Sequence, residues 1–195
     1  MGKRRLESAL QMYREQNPDE EPPAVRWLPF QLNPDLPEEG ISRQDYIERK
    51  WGKAGNKYER VAAVGREVGI DFKFDDIKVQ PNTVNAHRLM LYGTKHGRED
   101  AVAESLFKAY FMEGADLTAR KTLADIGERA GLERDLLEKY LDSDEDTAEI
   151  LKGDLEARQG GVNGVPFFIF NQKAAISGAH EPETLLKAMI ESTKN

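Results

Sequence analysis

The chemistry this chain can support is narrowed first by a residue it lacks. There is no cysteine among the 195 residues, so no disulfide, thiolate metal site or cysteine nucleophile arises from the chain itself. That says little about redox compartment. The three histidines, His87, His96 and His180, stand far apart and form no His-x-x-x-His pair, so they do not suggest a metal centre. His96 reads as a helix C-terminal charge partner, and His180 as a surface residue. Asp142, Asp144 and Asp146 have the spacing that opens a calcium loop. The sixth and twelfth positions of that loop are Thr147 and Gly153 rather than Gly and Glu, so acid at a helix N-terminus is the better account. The stretch Gly52-Lys-Ala-Gly-Asn-Lys57 lacks the Gly-Lys-Ser/Thr of a phosphate loop. What remains is Gly160-Gly-Val-Asn-Gly-Val-Pro-Phe-Phe-Ile-Phe170. Proline cannot donate to a sheet ladder and is tolerated at a strand's start. Pro166 sits there, after the flexible Asn163-Gly164. A Val-Pro bond in such a turn is a candidate for the cis form. It would turn the backbone N–H and C=O of Val165 outward, where an extended peptide can add to the edge.

The elements that must position this turn follow from periodicity. Leu6, Ala9, Leu10 and Tyr13 recur at helical spacing, and Pro18 and Pro22-Pro23 end that helix. Val25–Phe30 is β-branched and aromatic and is expected as a strand. From Ser42 to about Gln159 the signals are nearly all helical. Ser42 caps a helix carrying Tyr46, Ile47 and Trp51, and Gly52–Gly55 breaks it. Tyr58, Val61, Val64 and Val68 form a stripe that ends at Gly69. Phe72–Pro81 is expected to be extended. Further helices are expected over 83–96, 101–113, 123–130 and 134–141, and from Asp144 as N-cap to Gly160-Gly161. Trp51, Phe107 and Phe111 are expected in the core. The tail changes period: strand Phe167–Phe170, turn Asn171–Lys173, strand Ala174–Ser177, then a helix opened by Pro182 with Leu185, Leu186, Met189 and Ile190 on its apolar face.

Composition bounds the partners. Apolar residues make up 39% of the chain, enough for a core, and 28 basic against 35 acidic residues give a net charge of −7. That balance disfavours nucleic acid, whose phosphates need surplus cations. The run Lys3-Arg4-Arg5 is too short to reverse it. The opening residues hold no apolar signal core. No apolar run nears the roughly 18 residues needed to cross a bilayer, and Leu6 replaces the Ser or Thr that myristoylation wants. The expected location is cytoplasmic, with no membrane partner.

The tail Gly164-Val-Pro-Phe-Phe-Ile-Phe-Asn-Gln-Lys-Ala-Ala-Ile-Ser-Gly-Ala179, with the helix after it, resembles the C-terminal end of DsbA-like proteins of the FrnE subgroup. Trp27-Leu-Pro-Phe-Gln-Leu-Asn-Pro34 is similar to that family's second strand and exit. Pro81-Asn-Thr-Val-Asn-Ala-His-Arg-Leu89 is similar to its Asn-Thr-x-x-Ala-His helix. The resemblance spans essentially the whole chain. It implies an α/β class: a thioredoxin-like fold, residues 1–33 and 160–195, with an inserted all-helical domain, residues 34–159. It implies protein disulfide oxidoreductase relatives acting on protein or peptide disulfides. Val165 and Pro166 become the substrate-binding turn, with Asn82 and His87 of the inserted domain as further substrate contacts. For His87 the plainer reading is a hydrogen-bonded histidine between helices.

The family also carries a first strand and a Cys-x-x-Cys at the start of the first helix, where the helix N-terminus lowers a thiol's pKa. Met1-Gly2-Lys3-Arg4-Arg5 aligns just after that motif, so the first strand and both cysteines are missing. The expectation is that Met1 is an internal methionine and that the chain as written is inactive in thiol exchange. In the implied sheet order 2-1-3-4, the absent strand sits in the middle, so Val25–Phe30 is expected to lack its partner. No catalytic residue, metal or cofactor is assigned. Two rival readings remain: a glutathione-dependent 2-hydroxychromene-2-carboxylate isomerase or kappa-class transferase relative, for which glutathione is the partner, and a non-catalytic peptide-binding module. A homodimer is open under any of them.

Overall fold

A computed structural model describes residues 1–52 and 58–194. The chain divides into two compact units, one of Met1–Arg26 with Arg158–Asn195 and one of Trp27–Ala157.

The first unit holds helix α1 (Gly2–Gln16), the strands β3 (Phe167–Phe170) and β4 (Ala174–Ser177), and helix α9 (Pro182–Thr193). Pro182 opens α9 at a position where its missing N–H costs nothing. The strands pair antiparallel, with Phe168 opposite Ile176 and Phe170 opposite Ala174. Strand periodicity puts these four residues on one face. That face packs on Ala9 and Tyr13 of α1 and on Leu185, Leu186 and Met189 of α9, the small core of this unit. The turn Asn171–Gln172 takes the left-handed region, with φ of 50° and 58°. It is closed by the Lys173 N–H donating to the Phe170 carbonyl at 2.9 Å. Helix, strand, turn, strand and helix all fall where periodicity places them.

The second unit is helical: α2 (Arg43–Trp51), α3 (Tyr58–Glu67), α4 (Val84–Lys95), α5 (Glu99–Glu113), α6 (Arg120–Arg129), α7 (Arg134–Asp142) and α8 (Thr147–Gln159), the last running past the unit's limit at Ala157. Its core is built from α4 to α7 through Leu89, Val102, Leu106, Leu123, Ile126, Leu137 and Leu141. Ser42 caps α2 as expected, its hydroxyl accepting the Asp45 N–H at 3.0 Å. The break expected over Gly52–Gly55 is visible as far as Gly52, whose φ is 62°; residues 53–57 lie outside the described residues.

Buried Arg88 ties α4 to the end of α7. Its guanidinium donates to the carbonyls of Tyr140 at 2.7 Å, Ser143 at 2.9 Å and Glu145 at 2.8 Å, and to the Asn85 side chain at 2.8 Å. The rigid guanidinium fork thus reaches carbonyls at and just beyond the end of α7, sharing that of Tyr140 with the Ser143 N–H.

Four expectations are corrected. Val25–Phe30 forms no strand. Side chains meet some of its backbone groups instead of a ladder: the Trp27 N–H donates to the Glu99 carboxylate at 2.9 Å and, just past the segment, the Gln31 N–H donates to Asp154 Oδ1 at 2.7 Å. The His87 ring meets the Phe30 carbonyl at 3.2 Å. Of Phe72–Pro81, only Val79–Gln80 (β2) pairs, with Ile41–Ser42 (β1); the rest turns so that Phe72 and Phe74 stack, their ring centroids 4.8 Å apart. Helix α8 opens at Thr147 rather than after Asp144, because Asp146 adopts φ 63° and binds Lys95 at 2.6 Å and the Tyr140 hydroxyl at 2.9 Å. Phe107 is 42% exposed rather than core; it lies on the outer face of α5 against the half-buried Trp27, their centroids 5.8 Å apart.

Candidate functional site

The sequence marks the Val165-Pro166 turn, and the fold of the first unit explains how it is held. The Val165–Pro166 peptide bond is cis. The Pro166 carbonyl accepts the Gly178 N–H at 2.8 Å, extending the β3–β4 ladder by one rung. The proline ring lies against the start of α1: a Cβ placed on Gly2 would stand 2.8 and 2.9 Å from Pro166 Cγ and Cβ. Only glycine at position 2 lets helix and turn approach this closely. Arg5, one turn further on, donates to the Ala179 carbonyl and pairs with Glu181 at 2.7 Å. The beginning of α1 is thereby fixed to the turn before β3 and to the loop after β4.

Val165 itself is left open. Its side chain is 51% exposed. Among the described residues neither its N–H nor its C=O makes a hydrogen bond. Such a residue beside a sheet can hold an extended chain through its main-chain groups.

Asn82 and His87 lie in the second unit, on the entry and first turn of α4. The Asn82 amide donates to the Leu36 carbonyl at 2.8 Å, and its Oδ1 accepts the Val84 N–H at 3.0 Å. The side chain thus pairs the first N–H of α4 and holds the loop before β1. Asn82 also lines a polar depression of about 310 Å³ with Asn85, Arg88, Arg120, Glu38 and Asp144. Arg120 is matched there by Glu38 at 3.3 Å and by nearby Asp142 at 3.5 Å. His87 holds the Phe30 carbonyl. Burial pushes its pKa below the ordinary histidine value, against the opposing pulls of that carbonyl and of Asp154. The structure therefore groups Val165 with Pro166 on one turn and Asn82 with His87 on one helix start, the two pairs in different units. His96 caps α4, its Nδ1 2.7 Å from the Tyr92 carbonyl, and exposed His180 meets the Ser177 carbonyl at 3.0 Å.

Sequence reasoning missed three residues that build these places. Gly2 was one letter in a charged start. Glu99 and Asp154 are carboxylates on helices, where charge reads as a solvated face. Asp154 sits one turn after buried Ile150, on the inward stripe, and that was the available signal. Among the described residues no group of three or more His, Asp or Glu is placed to hold a metal. No helix among them is long and apolar enough to cross a membrane.

A profile of the DSBA-like thioredoxin domain matches residues 1–190. The chain belongs to the DSBA-like thioredoxin domain family. A solved structure of a probable DsbA oxidoreductase from Streptomyces coelicolor superposes with a TM-score of 0.86 at 22% identity, over 98% of this chain and 82% of that one. This DsbA-like chain thus has the thioredoxin fold with helical insertion that the tail motif implied. No curated protein matches it.

Proposed function

We propose that this DsbA-like chain is the docking scaffold of a FrnE-type protein disulfide oxidoreductase. In this reading it holds an extended polypeptide at Val165-Pro166 and transfers no disulfide by itself. One observation carries it: Val165 stands half exposed, with both main-chain groups unbonded, on a turn locked by Pro166, Gly178 and Gly2. Thiol–disulfide exchange needs an attacking thiolate, and the chain has no cysteine. The attacking sulfur is therefore not supplied by residues 1–195.

The test pairs binding with turnover. An unfolded, disulfide-containing polypeptide is expected to bind the full chain, slowing amide exchange at Val165. The pure chain is expected to add nothing to the rate at which a small dithiol reduces that polypeptide. Turnover by the pure chain, or no slowing of the Val165 amide at saturating polypeptide, refutes the proposal.

A further inference from the structure

We infer that the Asn163-Gly164 pair, on the stretch between α8 and β3, is a site of spontaneous covalent modification, where the folded chain loses ammonia and converts to aspartyl and isoaspartyl forms. The reaction class is intramolecular imide formation followed by hydrolysis, and its only co-reactant is water. The inference does not rest on the docking role proposed for Val165.

Such a reaction has three requirements. The side-chain carbonyl carbon must be free to swing toward the next backbone nitrogen, that nitrogen must carry a hydrogen, and the residue that bears it must not block the approach. Asn163 is exposed and lies in no helix or strand. Among the described residues neither its side-chain amide nor the Gly164 N–H makes a hydrogen bond. Gly164 has no Cβ to shield its nitrogen. A Cβ built there meets nothing within 4 Å, so no neighbour clamps the pair. The chain has eight asparagines, and each of the other described ones fails a requirement. Asn17 and Asn33 precede Pro18 and Pro34, which have no N–H to react. The Asn82 side chain donates to Leu36 and accepts from Val84. Asn85 lies within α4, its Oδ1 taken by Arg88 at 2.8 Å. Asn171 gives its amide to Ser192 Oγ at 3.1 Å. Asn56 and Asn195 lie outside the described residues.

The step balances without an oxidant or a cofactor. The Gly164 nitrogen gives its proton to hydroxide and attacks Asn163 Cγ. A C–N bond forms, the bond from Cγ to the side-chain nitrogen breaks, and ammonia leaves with a proton taken from water, closing a five-membered imide. Water then opens the imide at either carbonyl. Breaking the bond from the ring nitrogen to Cγ restores the ordinary main chain and leaves an aspartyl side chain. Breaking the bond from the ring nitrogen to the main-chain carbonyl carbon routes the main chain through Cγ, which lengthens it by one carbon and frees the α-carboxylate. Both products place a new negative charge two residues before Val165. The isoaspartyl product also lengthens the backbone that leads into the Val165-Pro166 turn.

The test ages the full chain in mildly alkaline buffer at a temperature where it stays folded. Trypsin cuts after Arg158 and Lys173, so residues 159–173 come as one peptide holding both Asn163 and Asn171. Fragmentation of that peptide in the mass spectrometer is expected to show –NH2 replaced by –OH at Asn163 and not at Asn171. A methyltransferase specific for isoaspartyl carboxylates, given labelled S-adenosylmethionine, is expected to label the same peptide. The rate should rise in proportion to hydroxide. Unfolding in urea should change it little at Asn163, which the fold does not restrain, and should speed conversion at Asn82, Asn85 and Asn171. Gly164→Ala fits open space at a negative φ, so the variant keeps the fold, and its added methyl should slow conversion by roughly an order of magnitude. Asn163→Gln, whose longer side chain must close a larger ring, should abolish the label. Conversion that begins at Asn82, Asn85 or Asn171 in the folded chain overturns the inference, as does an Asn163 that converts only after unfolding. An unchanged rate in Gly164→Ala overturns the imide route.

Discussion

Replacing Gly2 by alanine sets two effects of opposite sign against each other. Gly2 is the first residue of α1. By helix propensity alone, Gly→Ala stabilises by at most ~1 kcal/mol, and less at a first-turn position. The structure says the opposite. The new methyl would stand 2.8 and 2.9 Å from Pro166 Cγ and Cβ and 3.5 Å from Phe168 Cζ. A proline ring has no flexible end to swing aside, so either the helix start or the turn must shift. Overpacking of this kind costs ~1–3 kcal/mol. Set against the propensity gain, Gly2→Ala should lose roughly 1–2 kcal/mol, a fall of about 3–6 °C in melting temperature for a chain of this size. Gly2→Val, with two further carbons in the same place, should lose more. Both tryptophans, Trp27 and Trp51, lie in the second unit, so their fluorescence would miss a change confined to the first. Amide exchange in β3 and β4 reads it directly, and faster exchange at Phe168 and Ile176 is expected. Displacement of the turn should also weaken polypeptide binding. If Gly2→Ala raises the melting temperature and leaves exchange in β3 unchanged, propensity has won. The close approach of α1 to Pro166 would then not be what holds the turn.

Other consequences follow from the side chains that replace a sheet. Asp154→Ala removes a charged acceptor from the buried Gln31 N–H, and should cost ~1.5–3 kcal/mol; faster exchange of the Gln31 amide checks it, and an unchanged rate would contradict the anchoring role. Arg88→Met keeps the bulk but removes the donors that reach the Tyr140, Ser143 and Glu145 carbonyls, so a loss of about 1–3 kcal/mol is expected in denaturant titrations. Arg88→Lys should recover little of it, since an ammonium cannot span that fork. Acid should weaken the fold in two steps. The His87 pKa is lowered, so the unfolded chain binds its proton first, and stability falls as pH drops below about 6.5 and through the lower folded value. Asp146 would be raised by burial, but Lys95 and Tyr140 hold it below 3.8. Its contribution is present above that value and is lost as pH falls through the folded pKa. His87→Gln should remove the first step and leave the second, as read by melting temperature against pH.

How much of this was legible in the sequence depends on whether a residue's partner is local. The tail was fully legible, because its signals are short-range. A strand period of two, turn residues at 171–172 and a proline at the first helical position each act within a few residues. The Val165–Pro166 turn was legible for the same reason. Phe72–Pro81 was not, since aromatic stacking across the chain decided where it bends. The start of α8 was missed because Asp146 serves Lys95, 51 residues away in sequence, rather than its own helix.

Val25–Phe30 shows the limit most clearly. Its composition is that of a strand, and a strand's backbone groups must be paired somewhere. Composition cannot say with what. Here the partners are a carboxylate from α5 and an imidazole from α4, 72 and 57 residues away along the chain, with a carboxylate from α8 holding the adjoining Gln31. This strand-like segment is instead a strap held by charged or polar side chains.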